Sequence, residues 1–247
     1  MSGSFRRLDT EKVVDTMDRL SRRIAERFPD RGLYRVSEEI LATAREAKQR
    51  CKVIGRPHLG LRLLGWTLAL GMLSVLGYEL VNLNYQSLDE KGMSATDFVG
   101  LLEPTLGSIV FLGAALLFLF SLENRFKRAR ALESLHELRS LAHVIDMHQL
   151  TKDPERLRGR GPDTASSPKQ DMTPFLLSRY FDYCVEMLAV LSKIAALYVQ
   201  DCDDPVALET VDQIENLTTG LSRKIWQKMM ALEVDDDAFE SSAPIGA

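Results

Sequence analysis

Residues 98–122 read FVGLLEPTLGSIVFLGAALLFLFSL, and residues 63–81 read LLGWTLALGMLSVLGYELV. A helix crosses the hydrocarbon core of a bilayer with about 20 mostly apolar residues, and both stretches are long enough. Within them, only Glu79 and Glu103 carry a charge. A core helix of a soluble protein usually keeps polar residues on one side, whereas residues 105–122 are apolar all round, as lipid requires. Both stretches are therefore predicted to be transmembrane helices.

The two predicted spans form a hairpin, residues 58–122, with a short polar outer loop at residues 82–97. Its orientation follows from Lys and Arg, because these residues concentrate in cytoplasmic flanks. They stand before the first span and after the second, whereas the loop contains only Lys91 beside its acids. The sequence therefore predicts a multi-pass protein of the cell inner membrane with both termini in the cytoplasm. The basic residues predicted to face lipid head groups are Arg56, Arg62, Arg125, Lys127 and Arg128.

A cytoplasmic helical hairpin is predicted before the first span, at residues 1–57. Apolar residues recur there at three- and four-residue steps in two segments, residues 9–28 and 33–52. Proline and glycine in residues 29–32 separate the two segments and indicate a turn.

A second helical hairpin is predicted at residues 173–233. Thr173-Pro174 and Asp204-Pro205 each combine an N-cap residue with proline at the first helical position. Apolar residues follow at helical spacing in both segments, which favours two antiparallel helices. The remaining residues, 234–247, are acidic and small and are predicted to be a disordered tail.

The second span is predicted to continue into the cytoplasm over residues 123–157, because no Gly or Pro interrupts residues 121–152. The apolar positions of this segment alternate at three- and four-residue steps, which is typical of a coiled-coil-like seam or of one face of a bundle. They are Ala131, Leu135, Leu138, Ala142 and Ile145, followed by Gln149. Residues 158–172 are rich in Gly, Pro and Ser and are predicted to be a flexible linker.

The predicted fold class is thus all-α, an integral membrane hairpin with a cytoplasmic helical bundle. The net charge of -4 gives no case for nucleic acid. Cys51, Cys184 and Cys202 lack metal-binding spacing, and no nucleotide-binding or hydrolase motif occurs. The sequence therefore predicts no cofactor and does not support an enzyme active site.

Glu103 and Pro104 are the first candidate site. A carboxylate inside a span costs about 2.5–3.5 kcal/mol at the bilayer centre, and less near the interface. In an oligomer whose second spans line an axis, Glu103 would form an acidic ring at the outer mouth, with Asp97 beside it; such rings select cations. The alternative is that Glu103 lies at head-group level near a helix N-terminus, where the macrodipole favours an acid.

The Glu-Pro pair and the layout of the chain loosely resemble the mitochondrial calcium uniporter family. That family combines two spans, a short loop and an inner coiled coil, and has Trp-Asp-x-x-Glu-Pro at the start of the second span. Glu103 and Pro104 match the last two positions, whereas Val99 and Gly100 stand in place of Trp and Asp. The resemblance implies a homo-oligomeric cation channel, although one of the two acids is missing.

A histidine cluster is the second candidate site. Glu133 and His136 have the Glu-x-x-His spacing of di-iron bundles, and His143 and Asp146 are also three residues apart. A di-iron site needs two such motifs and two further glutamates, so a metal site here would need symmetry-related copies. The alternative is that these residues and His148 are surface or interface histidines that hydrogen-bond to their neighbours.

The preferred hypothesis is a non-enzymatic, membrane-anchored helical module of scaffold or sensor type. It would self-associate and bind a protein partner through its cytoplasmic bundle, so its predicted partners are the lipid bilayer, further copies of the chain and a protein. Two alternatives are a homo-oligomeric cation channel with a Glu103 ring and a metal-binding bundle that uses His136 and His143.

Overall fold

A computed structural model describes residues 7–54, 59–87, 95–154, 164–167, 171–200 and 204–240. Six α-helices and no strand are found within these ranges, which confirms the all-α class. The helices are α1 (Thr10–Arg27), α2 (Gly32–Ile54), α3 (Leu59–Ser87), α4 (Ala95–Leu150), α5 (Pro174–Val199) and α6 (Pro205–Glu240).

Side-chain caps start the two C-terminal helices where the sequence predicts. The Thr173 hydroxyl accepts a hydrogen bond from the Leu176 amide at 3.3 Å. The Asp204 carboxylate accepts hydrogen bonds from the amides of Val206 and Ala207, each at 3.1 Å. The first amides of a helix have no partner within it, so these side chains stabilise α5 and α6 at their first turns.

One compact unit comprises residues 1–55 and 130–247. Its core is a single cluster of buried apolar side chains from α1, α2, α5, α6 and the part of α4 from Arg130 onward. The central helix is α5, which packs against α1, α2 and α6. A helix that is apolar on most sides must be surrounded by other helices, and α5 buries thirteen side chains in this way. The bundle expected from the sequence is therefore confirmed.

The other unit, residues 56–129, contains α3 and the beginning of α4. Among the side chains of this unit that the structure describes, no large apolar one is buried: Trp66 is 69% exposed, Phe111 76% and Leu117 72%. Exposed apolar surface on this scale is unusual for a protein in water and indicates contact with lipid or another apolar partner.

Gly65 lies where α3 approaches α4. A Cβ atom added at Gly65 would be 3.9 Å from Leu116 Cδ2 and from Leu119 Cδ1, which is ordinary van der Waals contact. Small residues allow helices in a membrane to pack closely, so Gly65 is suited to this position.

One helix in the described part of the chain is long and apolar enough to cross a membrane. It is the segment of α4 from Ile109 onward, and the most apolar part of this segment is not buried. The apolar segment of α3, Leu63–Val75, is shorter. The structure thus gives one candidate membrane-spanning helix.

The helices that flank the predicted outer loop are longer than expected. Since α3 continues to Ser87 and α4 begins at Ala95, helix occupies both ends of residues 82–97. Neither end contains Gly or Pro, so nothing in the chain stops the helices earlier. Residues 88–94 lie outside the described residues.

The last helix also continues further than the sequence predicts. We expected a disordered tail from residue 234, but α6 runs to Glu240. No Gly or Pro occurs between residues 221 and 243, and the acidic side chains alone do not end a helix. Residues 241–247 lie outside the described residues.

The end of the predicted linker, residues 158–172, is attached to the bundle. Met172 is buried, and Arg31 holds Asp171 through two hydrogen bonds of 2.6 and 3.2 Å. A single buried Met after a polar segment has no periodicity, so the sequence pattern did not reveal it. Residues 155–163 and 168–170 lie outside the described residues.

Candidate functional site at the end of α4

The apolar stripe on the second half of α4 lies in the bundle core. Its five apolar members are fully buried, and Gln149 is 2% exposed. Of the two interpretations of this stripe, the face of a bundle is therefore the one that the structure supports. The five are Ala131, Leu135, Leu138, Ala142 and Ile145.

A lysine from α6 binds the last turn of α4. The Lys228 ammonium donates hydrogen bonds to Gln149 Oε1 at 2.7 Å, to the Gln149 carbonyl at 3.0 Å and to the Lys152 carbonyl at 3.2 Å. The last carbonyls of a helix have no partner within it and carry the negative end of the macrodipole. Lys228 therefore supplies both the missing donors and a favourable charge.

The surroundings of Lys228 are partly apolar. Its ammonium lies 5.8 Å from the centre of the Phe181 ring, and burial lowers the pKa of Lys228. The carboxylates of Asp153 and Asp146 act in the opposite direction and favour the charged form. Asp146 itself accepts a hydrogen bond from Gln149 Nε2 at 2.6 Å. The polar groups at the end of α4 thus satisfy one another.

His148 is the histidine of α4 that packs into the bundle. A Cβ atom at Gly32, the first residue of α2, would lie 2.5 Å from His148 Cε1, so the imidazole rests directly on the α2 backbone. Only glycine leaves room for this contact without a shift of the ring. Burial, and secondarily the charge of Lys152, lowers the pKa of His148.

Tyr180 of α5 joins the same junction. Its hydroxyl donates a hydrogen bond to the His148 carbonyl at 3.3 Å, and burial raises the pKa of Tyr180. Its ring packs edge-to-face on Phe28, which directly follows α1, with centroids 5.6 Å apart. Residues from four other helices or their ends therefore meet at the last turn of α4. We name this group of residues the α4 junction: Phe28, Gly32, His148, Gln149, Tyr180 and Lys228.

The histidines predicted as metal ligands lie elsewhere. Glu133, His136 and His143 are exposed, and Asp146 is half-buried and bound to Gln149. No group of three or more His, Cys, Asp or Glu side chains with metal-binding geometry occurs within the described ranges of the chain. A site formed between copies remains a prediction.

The predicted pore residues lie on α4, where the structure describes their backbone but not their side chains. These residues are Asp97, Glu103 and Pro104. Because α4 begins at Ala95, Glu103 and Pro104 are its ninth and tenth residues rather than part of its first turn. Pro104 therefore removes a hydrogen bond within the helix, and Glu103 is too far from the N-terminus for the macrodipole to favour it.

The structure describes the side chains of three of the five residues of the predicted basic flank. Arg125, Lys127 and Arg128 lie on α4, where Arg125 is exposed and the other two are half-buried. Arg62 belongs to α3, but its side chain lies outside the described residues, as does the whole of Arg56.

Sequence reasoning missed the role of Lys228. One signal was present: Gln149 continues an otherwise apolar buried stripe, and a buried amide needs a polar partner. The partner is 79 residues away in the chain, on a different helix, so no local spacing identifies it.

No family model, curated protein or solved structure matches this chain.

Proposed function

We propose that this protein is a non-enzymatic helical module that is anchored in the cell inner membrane, self-associates and binds a protein partner through its bundle. In this proposal, α3 and the beginning of α4 cross the bilayer as a hairpin. Both chain termini and the bundle lie in the cytoplasm.

The observation that carries the proposal is the continuity of α4. This helix has 56 residues, and no break separates its exposed apolar part from the buried stripe that ends at Gln149. The module therefore joins an apolar anchor directly to the core of a folded bundle.

The length and surface of α3 support the proposal that α3 crosses the membrane in addition to α4. Its 29 residues correspond to about 43 Å of helix, more than the roughly 30 Å of hydrocarbon in a bilayer. Trp66, Leu70 and Tyr78 on this helix are each more than 60% exposed. Basic residues in the flanks of α3 and α4, and their scarcity between the helices, favour cytoplasmic termini.

The nature of the α4 junction supports a scaffold or sensor role. Lys228, Gln149 and Tyr180 bind one another or helix carbonyls, so their polar atoms hold helices together. A partner that binds α5 or α6 would thus act on residues that fix the end of α4. This arrangement suits transmission between the anchor and a bound protein.

Self-association is tested by the mass of the full-length chain in detergent or in lipid nanodiscs. The proposal predicts a particle that contains at least two copies and sediments with the membrane fraction before solubilisation. A monomer at micromolar concentration, or a chain that stays in the aqueous fraction without detergent, would contradict it.

The cation channel is separated from this proposal by flux measurements in liposomes. A scaffold predicts that the wild type and Glu103→Ala are equally silent. A cation current in the wild type that Glu103→Ala abolishes would favour the channel and overturn the proposal.

A further inference from the structure

Positive charge is concentrated on the second half of α1. Residues 19–27 contain four arginines and one glutamate. Arg27 is exposed, and no carboxylate that the structure describes is bonded to it. This part of α1 therefore has an excess of positive charge, and its last arginine has no acidic partner among the described residues.

Aromatic rings hold three arginines in place beside one another. Arg27 Cζ lies 5.5 Å from the centre of the Phe175 ring, and Arg179 Cζ lies 5.8 Å from the same centre. Arg23 Cζ lies 5.2 Å from the centre of the Tyr183 ring. A guanidinium that is attracted to the face of a ring keeps N–H groups at its edge available to an anion. The rings therefore position these arginines without occupying their donors.

Carboxylates orient two of the three guanidiniums further. Glu186 accepts hydrogen bonds from Arg23 at 2.8 and 3.3 Å, and Asp182 forms an ion pair of 3.0 Å with Arg179. Partly exposed pairs of this kind contribute little stability. A guanidinium also has more N–H donors than one carboxylate accepts, so both arginines retain donors for a ligand.

The three arginines line one open groove between α1 and α5. Phe175, on the wall of this groove, is 61% exposed although it is large and apolar. Arginine and aromatic side chains are enriched where proteins bind one another, and they supply much of the binding energy there. We name this surface the arginine groove: Arg23, Glu26, Arg27, Phe175, Arg179 and Tyr183.

The arginine groove lies at the same end of the bundle as the α4 junction. The Tyr183 ring packs edge-to-face on Phe28, a member of that junction, with centroids 6.1 Å apart. From this end, α2 continues for 23 residues, about 35 Å of helix, before it ends at Ile54. Salt screens the attraction between charges over about 8 Å. Lipid head groups near Ile54 would therefore not be drawn to the groove, which favours a protein as its ligand.

We infer that the arginine groove binds a segment of a protein partner that is rich in Asp and Glu. Carboxylates of this segment would accept charge-assisted hydrogen bonds from the three guanidiniums, and its apolar atoms would cover Phe175. This inference rests on the proposed function, because it names the chemistry of the partner that the bundle binds.

A labelled polyglutamate peptide tests the inference on the full-length chain in nanodiscs of phosphatidylcholine, with fluorescence anisotropy as the readout. We expect saturable binding that added salt weakens. Arg27→Gln should weaken it about tenfold, because the peptide loses charge-assisted hydrogen bonds. Arg139→Gln removes the same charge from an exposed position of α4 outside the groove and should bind as the wild type does. Equal losses in the two variants, or no binding by the wild type, would overturn the inference.

Glu26→Gln tests the groove in the opposite direction. Glu26 is the one acid among the six residues of the groove and repels an acidic ligand. Its replacement should strengthen polyglutamate binding about threefold, since a like charge is removed. The helix is retained, because Gln and Glu have similar helix propensities. Binding that is unchanged or weaker in Glu26→Gln would contradict the placement of the peptide in this groove.

Vesicles that contain phosphatidylglycerol distinguish a lipid surface from a protein. We expect Arg27→Gln to reduce vesicle binding by a smaller factor than it reduces peptide binding. A reduction at least as large would assign the groove to anionic lipid and overturn the inference.

Failure of the inference differs from failure of the proposed function. A wild-type chain that is monomeric, or that stays in the aqueous fraction without detergent, contradicts the proposed function. A membrane-bound oligomer that does not bind polyglutamate contradicts the inference alone.

Discussion

At the scale of single residues, Lys228 of α6 stabilises the end of another helix, α4. Its ammonium donates hydrogen bonds to three acceptors at the end of α4, at distances of 2.7 to 3.2 Å. Its ammonium lies beside the Phe181 ring, and its charge lies where the helix macrodipole is negative. This combination explains how a lysine can be half-buried in the bundle at modest cost.

Replacement of this lysine should therefore destabilise the bundle. We expect Lys228→Met to lower the free energy of unfolding by about 1–2 kcal/mol, because carbonyls at the end of α4 lose charged donors. Lys224→Met removes an exposed lysine one turn earlier and should change stability by less than about 0.5 kcal/mol. Urea unfolding of the full-length chain in detergent, followed by circular dichroism, measures both. Equal effects would show that Lys228 has no special role.

His148 gives the bundle a pH dependence with a defined sign. Its pKa in the folded chain is lowered by burial, so the unfolded chain binds the proton first as the pH falls through about 6.5. Stability that is complete above this pH is therefore lost below it, until the folded state is protonated too.

The measurement is the free energy of unfolding between pH 7.5 and 5.5. We expect the wild type to lose stability over this range, and His148→Gln to lose less. His143→Gln alters an exposed histidine on the same helix and should retain the wild-type pH dependence. If all three chains respond alike, carboxylates rather than His148 determine the pH response.

At the scale of elements, α4 has two different environments along one helix. Leu138 is fully buried, whereas Leu150, twelve residues later, is 62% exposed. Leu138→Ala should lower the free energy of unfolding by about 2–5 kcal/mol, because it leaves a cavity in the bundle core. Leu150→Ala should cost less than about 1 kcal/mol, since no cavity forms at an exposed position. Chemical unfolding of the two variants makes the comparison, and similar losses would contradict the packing of α4.

The elements also indicate what the sequence could predict. Periodic apolar positions and caps such as Thr173 identify α5 because they act within a few residues of the chain. The buried stripe of α4 was equally clear, but its surroundings were ambiguous, since a coiled coil and a bundle use the same spacing. Helix ends without Gly or Pro, as at residue 234, were placed too early because composition does not determine where a helix stops.

The candidate site was less predictable than the helices. The predicted metal site at His136 and His143 was based only on the spacing of these residues in the local sequence. The α4 junction instead depends on contacts such as Tyr180 to His148 and Lys228 to Gln149, which join distant parts of the chain. Tertiary packing creates these contacts, so a single sequence does not reveal them.

At the scale of the whole molecule, the chain combines an apolar unit, residues 56–129, with a bundle built from both ends of the chain. The chain enters and leaves the apolar unit on segments rich in Lys and Arg, which favours one side of the membrane for both. The proposed topology requires two crossings; α4 is the candidate membrane-spanning helix, and we propose α3 for the other crossing.

The central claim is tested most directly by the accessibility of three epitope tags in intact cells: one at each terminus and one inserted at Gly92, between α3 and α4. We predict that an impermeant antibody labels the Gly92 tag in intact cells and reaches the terminal tags only after the membrane is permeabilised. Labelling of either terminal tag in intact cells, or protection of the Gly92 tag, would contradict the two-span topology on which the proposed function depends.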